Sequence, residues 1–175
     1  KIFLLMEKSI CTPTTNELLE SYDKLSIPVK NNNHSVDLFF GQQINGLVYF
    51  NQKDEKIKFN MLSTLIWRDE YLNWEELSTY KSIDYIFIPS YKLWQPDLEL
   101  YNAGSSPELF ELYGNFKVYK NGFIVYNRPT SFTFSCKLKL QVFPFDSQEC
   151  TMLFGSWKYP KATLNLRPFN YKEIE

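Results

Sequence analysis

The chain has 175 residues, a length that fits one domain, 1–175, better than two. Its 19 basic and 20 acidic side chains give a formal net charge of −1, which argues against nucleic acid or an acidic membrane surface as a partner. Aromatic residues make up 18% of the chain and favour strands and interfaces. Apolar runs such as Ile2 to Met6 are too short to cross a bilayer as helices.

One amphipathic helix is predicted near the start of the chain, over about 15–24. Residues 14–17, Thr-Thr-Asn-Glu, match a capping box that follows a proline. Apolar residues then recur at helical spacing, namely Leu18, Leu19, Tyr22 and Leu25. Pro28 limits the helix at its far end.

Beyond Pro28 the apolar residues alternate with polar ones, which predicts strands. The predicted strands are 36–50 with a break near Gly41 to Gly46, then 56–74, 83–88, 116–126, 131–142, 150–157 and a short strand from 164. The pair Asn121-Gly122 predicts a type I′ turn that makes 116–126 a hairpin. One helix followed by many strands is typical of a β-sandwich.

Two of the three cysteines, Cys136 and Cys150, lie at the ends of a strand-turn-strand pattern. This placement favours a disulfide and an oxidising compartment, although two free thiols are the alternative. Such a bridge would stabilise the fold by about 3 kcal/mol. Cys11 is left free or joined to another chain. The sequon Asn33-His34-Ser35 makes Asn33 a glycosylation candidate and agrees with secretion.

An enzyme is the least favoured class of protein. His34 is the only histidine, and it lies in a polar stretch. Neither a glycine-rich phosphate loop nor metal-ligand spacing occurs, so we expect no cofactor and no metal. Acidic pairs such as Asp69-Glu70 are interpreted as solvated.

Four motifs occur in order along the chain. They are Trp67-Arg68-Asp69, Trp94-Gln95-Pro96-Asp97, Phe143-Pro144-Phe145-Asp146 between the two cysteines, and Phe154-Gly155-Ser156-Trp157. Together they resemble the extracellular domain of Cys-loop receptors, the pentameric ligand-gated ion channels, over about 17–166. The last two motifs resemble the nicotinic, cation-channel branch of that family.

The resemblance implies a twisted, immunoglobulin-like β-sandwich with an N-terminal helix, and a pentameric ring with ligand bound between neighbouring subunits. Tyr101 and Trp157 match aromatic positions of the principal face. Leu62, Val125 and Asn127 match positions of the complementary face. Leu62 stands where the family usually has tryptophan, so one wall of the site is aliphatic.

The ligand implied is a cationic amine such as acetylcholine, because the faces of aromatic rings attract cations. The alternative for Trp157 is a core position between the two sheets, as is expected of Trp67, Trp74 and Trp94.

The resemblance also implies that Phe143, Pro144, Phe145 and Asp146 contact a membrane pore domain and couple ligand binding to gating. It places the domain on the extracellular face of the plasma membrane. In the family further strands and a closing flap follow, so we expect the sequence to be incomplete after Glu175, with its final strands missing. The alternatives are a secreted, soluble pentamer similar to acetylcholine-binding proteins, or an accessory subunit that binds no ligand. Whether the neighbours are identical is left open.

Overall fold

The structure is a computed structural model, and the great majority of the chain is described in it. The described residues are 17–31, 33–75, 83–104, 108–109, 111–139, 141–142 and 145–169. They form mainly strands in a sandwich-like arrangement of two sheets, which confirms the predicted mainly-β fold. Among them, no helix is long and apolar enough to cross a membrane.

Nine strands build the two sheets of the described residues. They are β1 (Val36–Asn51), β2 (Lys56–Asn73), β3 (Tyr85–Pro89), β4 (Glu99–Leu100), β5 (Glu108–Leu109), β6 (Asn115–Tyr119), β7 (Asn121–Ser135), β8 (Phe154–Gly155) and β9 (Leu164–Pro168). The six-stranded sheet has the order β3-β6-β7-β2-β1-β9, and the three-stranded sheet has the order β5-β4-β8. Only the pairing of β1 with β9 is parallel. A 3-10 turn at Ser90–Lys92 follows β3.

The predicted N-terminal helix ends earlier than expected. Its first residues lie outside the described ranges, residues 17–19 are helical, and turns follow, so the prediction is wrong beyond residue 19. The carboxylate of Asp23 accepts hydrogen bonds from the Leu25 N–H (2.9 Å) and the Ser26 hydroxyl (2.5 Å). These local bonds compete with helical hydrogen bonding and stabilise a turn instead.

Two predicted strand interruptions are absent from the structure. The expected break in β1 is a pair of register shifts within a continuous strand, at Ile44/Gly46 and Leu47/Tyr49. β7 runs unbroken through Pro129, where two strands were expected. β7 pairs with β6 only at Ile124 and Val125. At Pro129 it therefore pairs with β2 alone, and a strand with one neighbour tolerates a residue that lacks an N–H.

The chain around the cysteines is less regular than predicted, because side-chain hydrogen bonds replace the backbone hydrogen bonds between strands. Residues 136–139 are not strand, and the strand expected over 150–157 is reduced to β8. The amide of Asn102 donates to the Thr151 carbonyl (2.8 Å) and accepts from the Leu153 N–H (3.0 Å). Cys136 and Cys150 form the predicted disulfide, with their Cα atoms 5.2 Å apart, and it joins the end of β7 to the segment before β8.

The core is built around large aromatic side chains. Trp67, Trp74 and Trp94 are all buried, as expected. The Trp67 ring makes edge contacts with Phe116 (5.1 Å between centroids) and Trp94 (6.4 Å). Because Trp94 begins the motif that ends at Asp97, this packing anchors that motif against the six-stranded sheet.

The hairpin between β6 and β7 is present, but its turn is not the predicted type I′. A type I′ turn needs positive φ at both central residues. Here Gly122 has a φ of +84°, and Asn121 is not among the described residues with positive φ. Val118 pairs with Ile124, and five residues, 119–123, connect the two partners. A Cβ atom at 122 would also overlap the carbonyl oxygen of Asp69.

Gly122→Ala is therefore expected to lower the free energy of unfolding by about 1–3 kcal/mol, from backbone strain and the close approach to β2. Urea unfolding measures this. Gly46→Ala is the matched control, because a Cβ there meets nothing within 4 Å and should change stability by no more than about 0.5 kcal/mol. Equal effects of the two substitutions would contradict the account.

Asp69 is buried, so its interpretation as a solvated acid is wrong. Its carboxylate accepts hydrogen bonds from the Tyr22 hydroxyl (2.6 Å) and the Tyr71 N–H (3.0 Å). The Tyr22 hydroxyl in turn accepts from the Trp94 N–H (3.0 Å). Asp69 thus joins the N-terminal segment, β2 and the start of the Trp94–Asp97 motif. Desolvation by burial raises the pKa of this carboxyl from 3.8 to about 6.

This raised pKa predicts an unusual pH dependence. The folded carboxyl holds its proton more tightly than the unfolded one, so its contribution to stability is lost as the pH rises from about 4 to about 6. Asp69→Asn removes this titration. The difference in unfolding free energy between wild type and variant should change by up to about 3 kcal/mol over that window. Urea unfolding at several pH values tests this, and a constant difference would contradict it.

Candidate functional site

Trp157 lies in the loop that follows β8, and its side chain is 71% exposed. The alternative of a core tryptophan between the sheets is therefore wrong. Tyr101, which follows β4, is 48% exposed. The two ring centroids are 5.2 Å apart with an interplanar angle of 60°, so the structure brings the two predicted principal-face residues together.

The carboxylate of Asp97 holds the loop that carries Trp157. One oxygen accepts a hydrogen bond from the Ser156 hydroxyl (2.5 Å). The other accepts from the backbone N–H groups of Trp157 (3.0 Å) and Lys158 (2.9 Å). The Ser156 hydroxyl oxygen also accepts from the Tyr159 N–H (2.9 Å). Hydrogen bonds to a carboxylate are strong, so this loop is fixed without burying the indole.

Tyr101 is held in place at its backbone and at its hydroxyl group. Its backbone N–H donates to the Leu153 carbonyl (2.8 Å), and its hydroxyl donates to the Ser156 carbonyl (2.9 Å). The ring lies across Gly155, where an added Cβ atom would overlap it. Glycine at 155 is therefore required for this position of the tyrosine.

The resulting site is a pair of exposed aromatic faces on a fixed loop. Such faces bind a cation through their quadrupole, and tryptophan binds best. The Asp97 carboxylate already accepts three hydrogen bonds from its own chain. The arrangement can hold a cationic group on the rings rather than in an ion pair with Asp97.

The predicted complementary residues share one face of the six-stranded sheet. Val125 pairs with Ile66, Asn127 with Thr64, and Leu62 with Pro129, so all lie on the pleat face opposite the core residues Leu65 and Trp67. The Thr64 hydroxyl donates to the Asn127 side-chain oxygen (2.6 Å). Leu62 and Val125 are half-buried, and Asn127 is exposed.

The two predicted faces belong to different sheets of the sandwich. Tyr101 and Trp157 follow strands of the three-stranded sheet, whereas Leu62, Val125 and Asn127 lie on β2 and β7 of the six-stranded sheet. This placement suits a site that is completed by a second chain.

The remaining predicted positions are in the disulfide loop and the N-terminal region. Phe143 and Pro144 lie outside the described residues, as does Cys11. Phe145 is 91% exposed. The side chain of Asp146 accepts a hydrogen bond from Gln148. Asn33 is exposed, as a glycosylation site requires.

Sequence reasoning missed two features of the site. Asp97 and Gly155 belong to motifs that are quoted above, but neither was assigned to the site. Asp97 could have been found because Ser156 and a turn follow β8, and both supply hydrogen-bond donors for a carboxylate. The requirement for Gly155 depends on the pairing of β4 with β8, where Glu99 lies opposite Gly155.

Comparison with known proteins identifies the family. Residues 12–174 match the family described as "Neurotransmitter-gated ion-channel ligand binding domain". The chain belongs to this family. It is 32% identical over 158 residues to "Acetylcholine receptor subunit beta-like 1" of Drosophila melanogaster, a match that covers 90% of this chain and 30% of that protein.

Vertebrate receptor subunits are similar as well. The chain is 33% identical over 149 residues to "Neuronal acetylcholine receptor subunit alpha-3" of Rattus norvegicus, covering 85% of this chain and 30% of the relative. It is 34% identical over 149 residues to "Neuronal acetylcholine receptor subunit beta-3" of Gallus gallus, covering 85% and 32%. The chain thus spans about a third of the length of these relatives. They are receptor subunits, and the chain is not an enzyme.

Asp97→Ala removes the acceptor of three hydrogen bonds and is expected to lower the free energy of unfolding by about 2 kcal/mol. It should also weaken the near-ultraviolet circular dichroism of the coupled Tyr101 and Trp157 rings, because the loop is no longer fixed. Asp84→Ala is the matched control, since the one ion pair of Asp84 among the described residues is with Lys120 at an exposed position, and its loss should cost no more than about 0.5 kcal/mol. An unchanged spectrum for Asp97→Ala would contradict the role of this carboxylate.

Proposed function

We propose that this chain is the ligand-binding domain of a pentameric neurotransmitter-gated cation channel, located on the extracellular face of the membrane. Its ligand is a cationic amine such as acetylcholine, bound between neighbouring subunits. This chain supplies the principal face through Trp157 and Tyr101. The observation that carries the proposal is the exposed indole of Trp157, which lies 5.2 Å from the Tyr101 ring on a loop held by Asp97.

The chemistry of the site suits a quaternary ammonium group. Such a group has no N–H to donate, so it is held by ring faces rather than by hydrogen-bond acceptors. A desolvated contact of this kind is worth about 2 kcal/mol. Because the Trp157 side chain is 71% exposed on one chain, a neighbouring subunit has to supply the desolvation.

A short covalent path supports coupling between this site and the disulfide loop. Cys150 lies seven residues before Trp157. Between them, the Asn102 side chain bonds to Thr151 and Leu153, and the Tyr101 N–H bonds to the Leu153 carbonyl. A ligand that prefers one position of the Trp157 loop would shift the population of states of the disulfide loop. Phe145, exposed in that loop, would carry the shift to the pore domain, together with Phe143, Pro144 and Asp146.

A second candidate is an accessory subunit that assembles without binding an amine. Leu62 favours it, because an aliphatic side chain on the complementary face offers no quadrupole to a cation. A secreted pentamer is less favoured, because an exposed Phe145 suits a loop that contacts a partner.

Equilibrium binding of acetylcholine to the assembled chain tests the proposal. Trp157→Ala should weaken binding about 30-fold, which corresponds to the loss of about 2 kcal/mol, and Trp157→Phe should weaken it less because a ring remains. Tyr91→Ala is the control, since Tyr91 is a comparably exposed aromatic residue outside the site. Wild-type affinity in Trp157→Ala would refute the principal-face role, and absence of binding by wild type would support the accessory subunit.

A further inference from the structure

Lys117 belongs to the same surface as the predicted complementary residues. It lies on β6 directly opposite Val125 of β7, and Val125 lies opposite Ile66 of β2. Residues that are paired in this way point to the same face of a sheet, with Cβ atoms about 5 Å apart. Asn127 follows two residues later on that face. Lys117 therefore lies at one end of the complementary surface, two strands away from Leu62 and about 13 Å from it along the strand direction.

The ammonium of Lys117 is held in place by two aromatic rings. The register of β3 with β6 places Tyr85 opposite Tyr119 and Phe87 opposite Lys117. The Lys117 Nζ atom lies 4.0 Å from the Tyr85 ring centroid and 4.8 Å from that of Tyr119. The rings position this cation while leaving it at the surface of the sheet.

Among the described residues, no acid forms an ion pair with Lys117. In the described part of the chain, the ion pairs join Lys120 to Asp84, Arg167 to Asp37, and His34 to Glu70, and none includes Lys117. A hydrogen bond with Tyr119 raises the pKa of Lys117, so the ammonium is charged at neutral pH. As far as the structure describes it, the complementary surface thus carries a positive charge at Lys117 that no ion pair offsets.

We infer that Lys117 determines ligand specificity wherever this chain supplies the complementary face, by selecting a ligand that carries an anionic group in addition to its ammonium. The inference rests on the proposed function, in which Trp157 of the neighbouring chain binds the ammonium. It adds a ligand class, zwitterionic quaternary amines, which bind more tightly than simple cations such as acetylcholine.

The physical reason is the sign of the charge on each wall. Between two copies of this chain, one wall offers the rings of Trp157 and Tyr101, and the other offers Leu62, Val125, Asn127 and Lys117. A ligand that is only a cation is attracted by the faces of the two rings but is repelled by the ammonium of Lys117. A ligand with a carboxylate at its other end gains an ion pair there, in an interface where charges are poorly screened. Between two copies of this chain, acetylcholine is therefore bound less tightly than a zwitterion of similar length, because only the rings attract it.

Two probes of matched length isolate this effect: 4-(trimethylammonio)butanoate, which is zwitterionic, and its methyl ester, which is a simple cation. Calorimetric titration of the full chain, under conditions where sedimentation shows self-association, gives the ratio of their affinities. We expect wild type to bind the zwitterion about tenfold more tightly than the ester. In Lys117→Gln the ratio should fall to about one, whereas Lys117→Arg should preserve the preference.

Lys120→Gln is the matched control, because it removes the same charge from the same hairpin at a residue that is paired with Asp84. Its affinity ratio should equal that of wild type. A wild-type ratio near one, or a ratio unchanged by Lys117→Gln, would overturn the inference, as would absence of binding of both probes to wild type and Lys117→Gln.

Trp157→Ala separates this inference from the proposed function. If the ratio depends on Lys117 but Trp157→Ala binds both probes with wild-type affinity, the proposed principal face is wrong and the role of Lys117 stands. If Trp157→Ala loses both probes but Lys117→Gln leaves the ratio unchanged, the principal face stands and the specificity role of Lys117 is wrong.

Discussion

The carboxylate of Asp97 is the constraint on which the candidate site depends. Burial stabilises a tryptophan side chain, so an indole that is 71% exposed requires another interaction to keep it at the surface. The bonds from Ser156, Trp157 and Lys158 to Asp97 provide that interaction. They fix the backbone of the loop, and the ring is left to contact Tyr101 and solvent.

Asp97 is itself positioned from the core. Trp94, at the start of the same motif, is buried against Trp67. Its backbone N–H donates to the Tyr22 hydroxyl, which in turn donates to the Asp69 carboxylate. The buried tryptophans and the exposed one thus have complementary roles. Packing of Trp67 and Trp94 orders the motif, and the motif then holds the loop of the three-stranded sheet. The position of the exposed indole follows from this rigid connection.

Much of the fold could be predicted from the sequence because the signals are local. Alternation of apolar residues identified β1 and β2, and the spacing of Cys136 and Cys150 indicated the disulfide. The positions of the aromatic motifs identified which tryptophans are buried. The pairing of Tyr101 with Trp157 was expected only through the resemblance to the family, because the two residues are far apart in sequence.

Other features depend on tertiary contacts that a local pattern does not contain. The helix ends early because Asp23 forms a turn, and the hairpin loop takes its form where Gly122 meets the backbone of Asp69. β7 continues through Pro129, where it pairs with β2 but not with β6. The position of Lys117 between two tyrosines depends on the register of β3 with β6, which only the assembled sheet defines.

The central claim is that Asp97 holds the Trp157 indole where a quaternary ammonium can reach it. The most direct measurement is the set of four tryptophan indole N–H resonances during titration with tetramethylammonium, assigned by single substitutions. The account predicts that the Trp157 resonance shifts while those of Trp67, Trp74 and Trp94 stay in place, and that the shift is lost in Asp97→Ala. A Trp157 resonance that does not respond, or that responds equally without the Asp97 carboxylate, would contradict it.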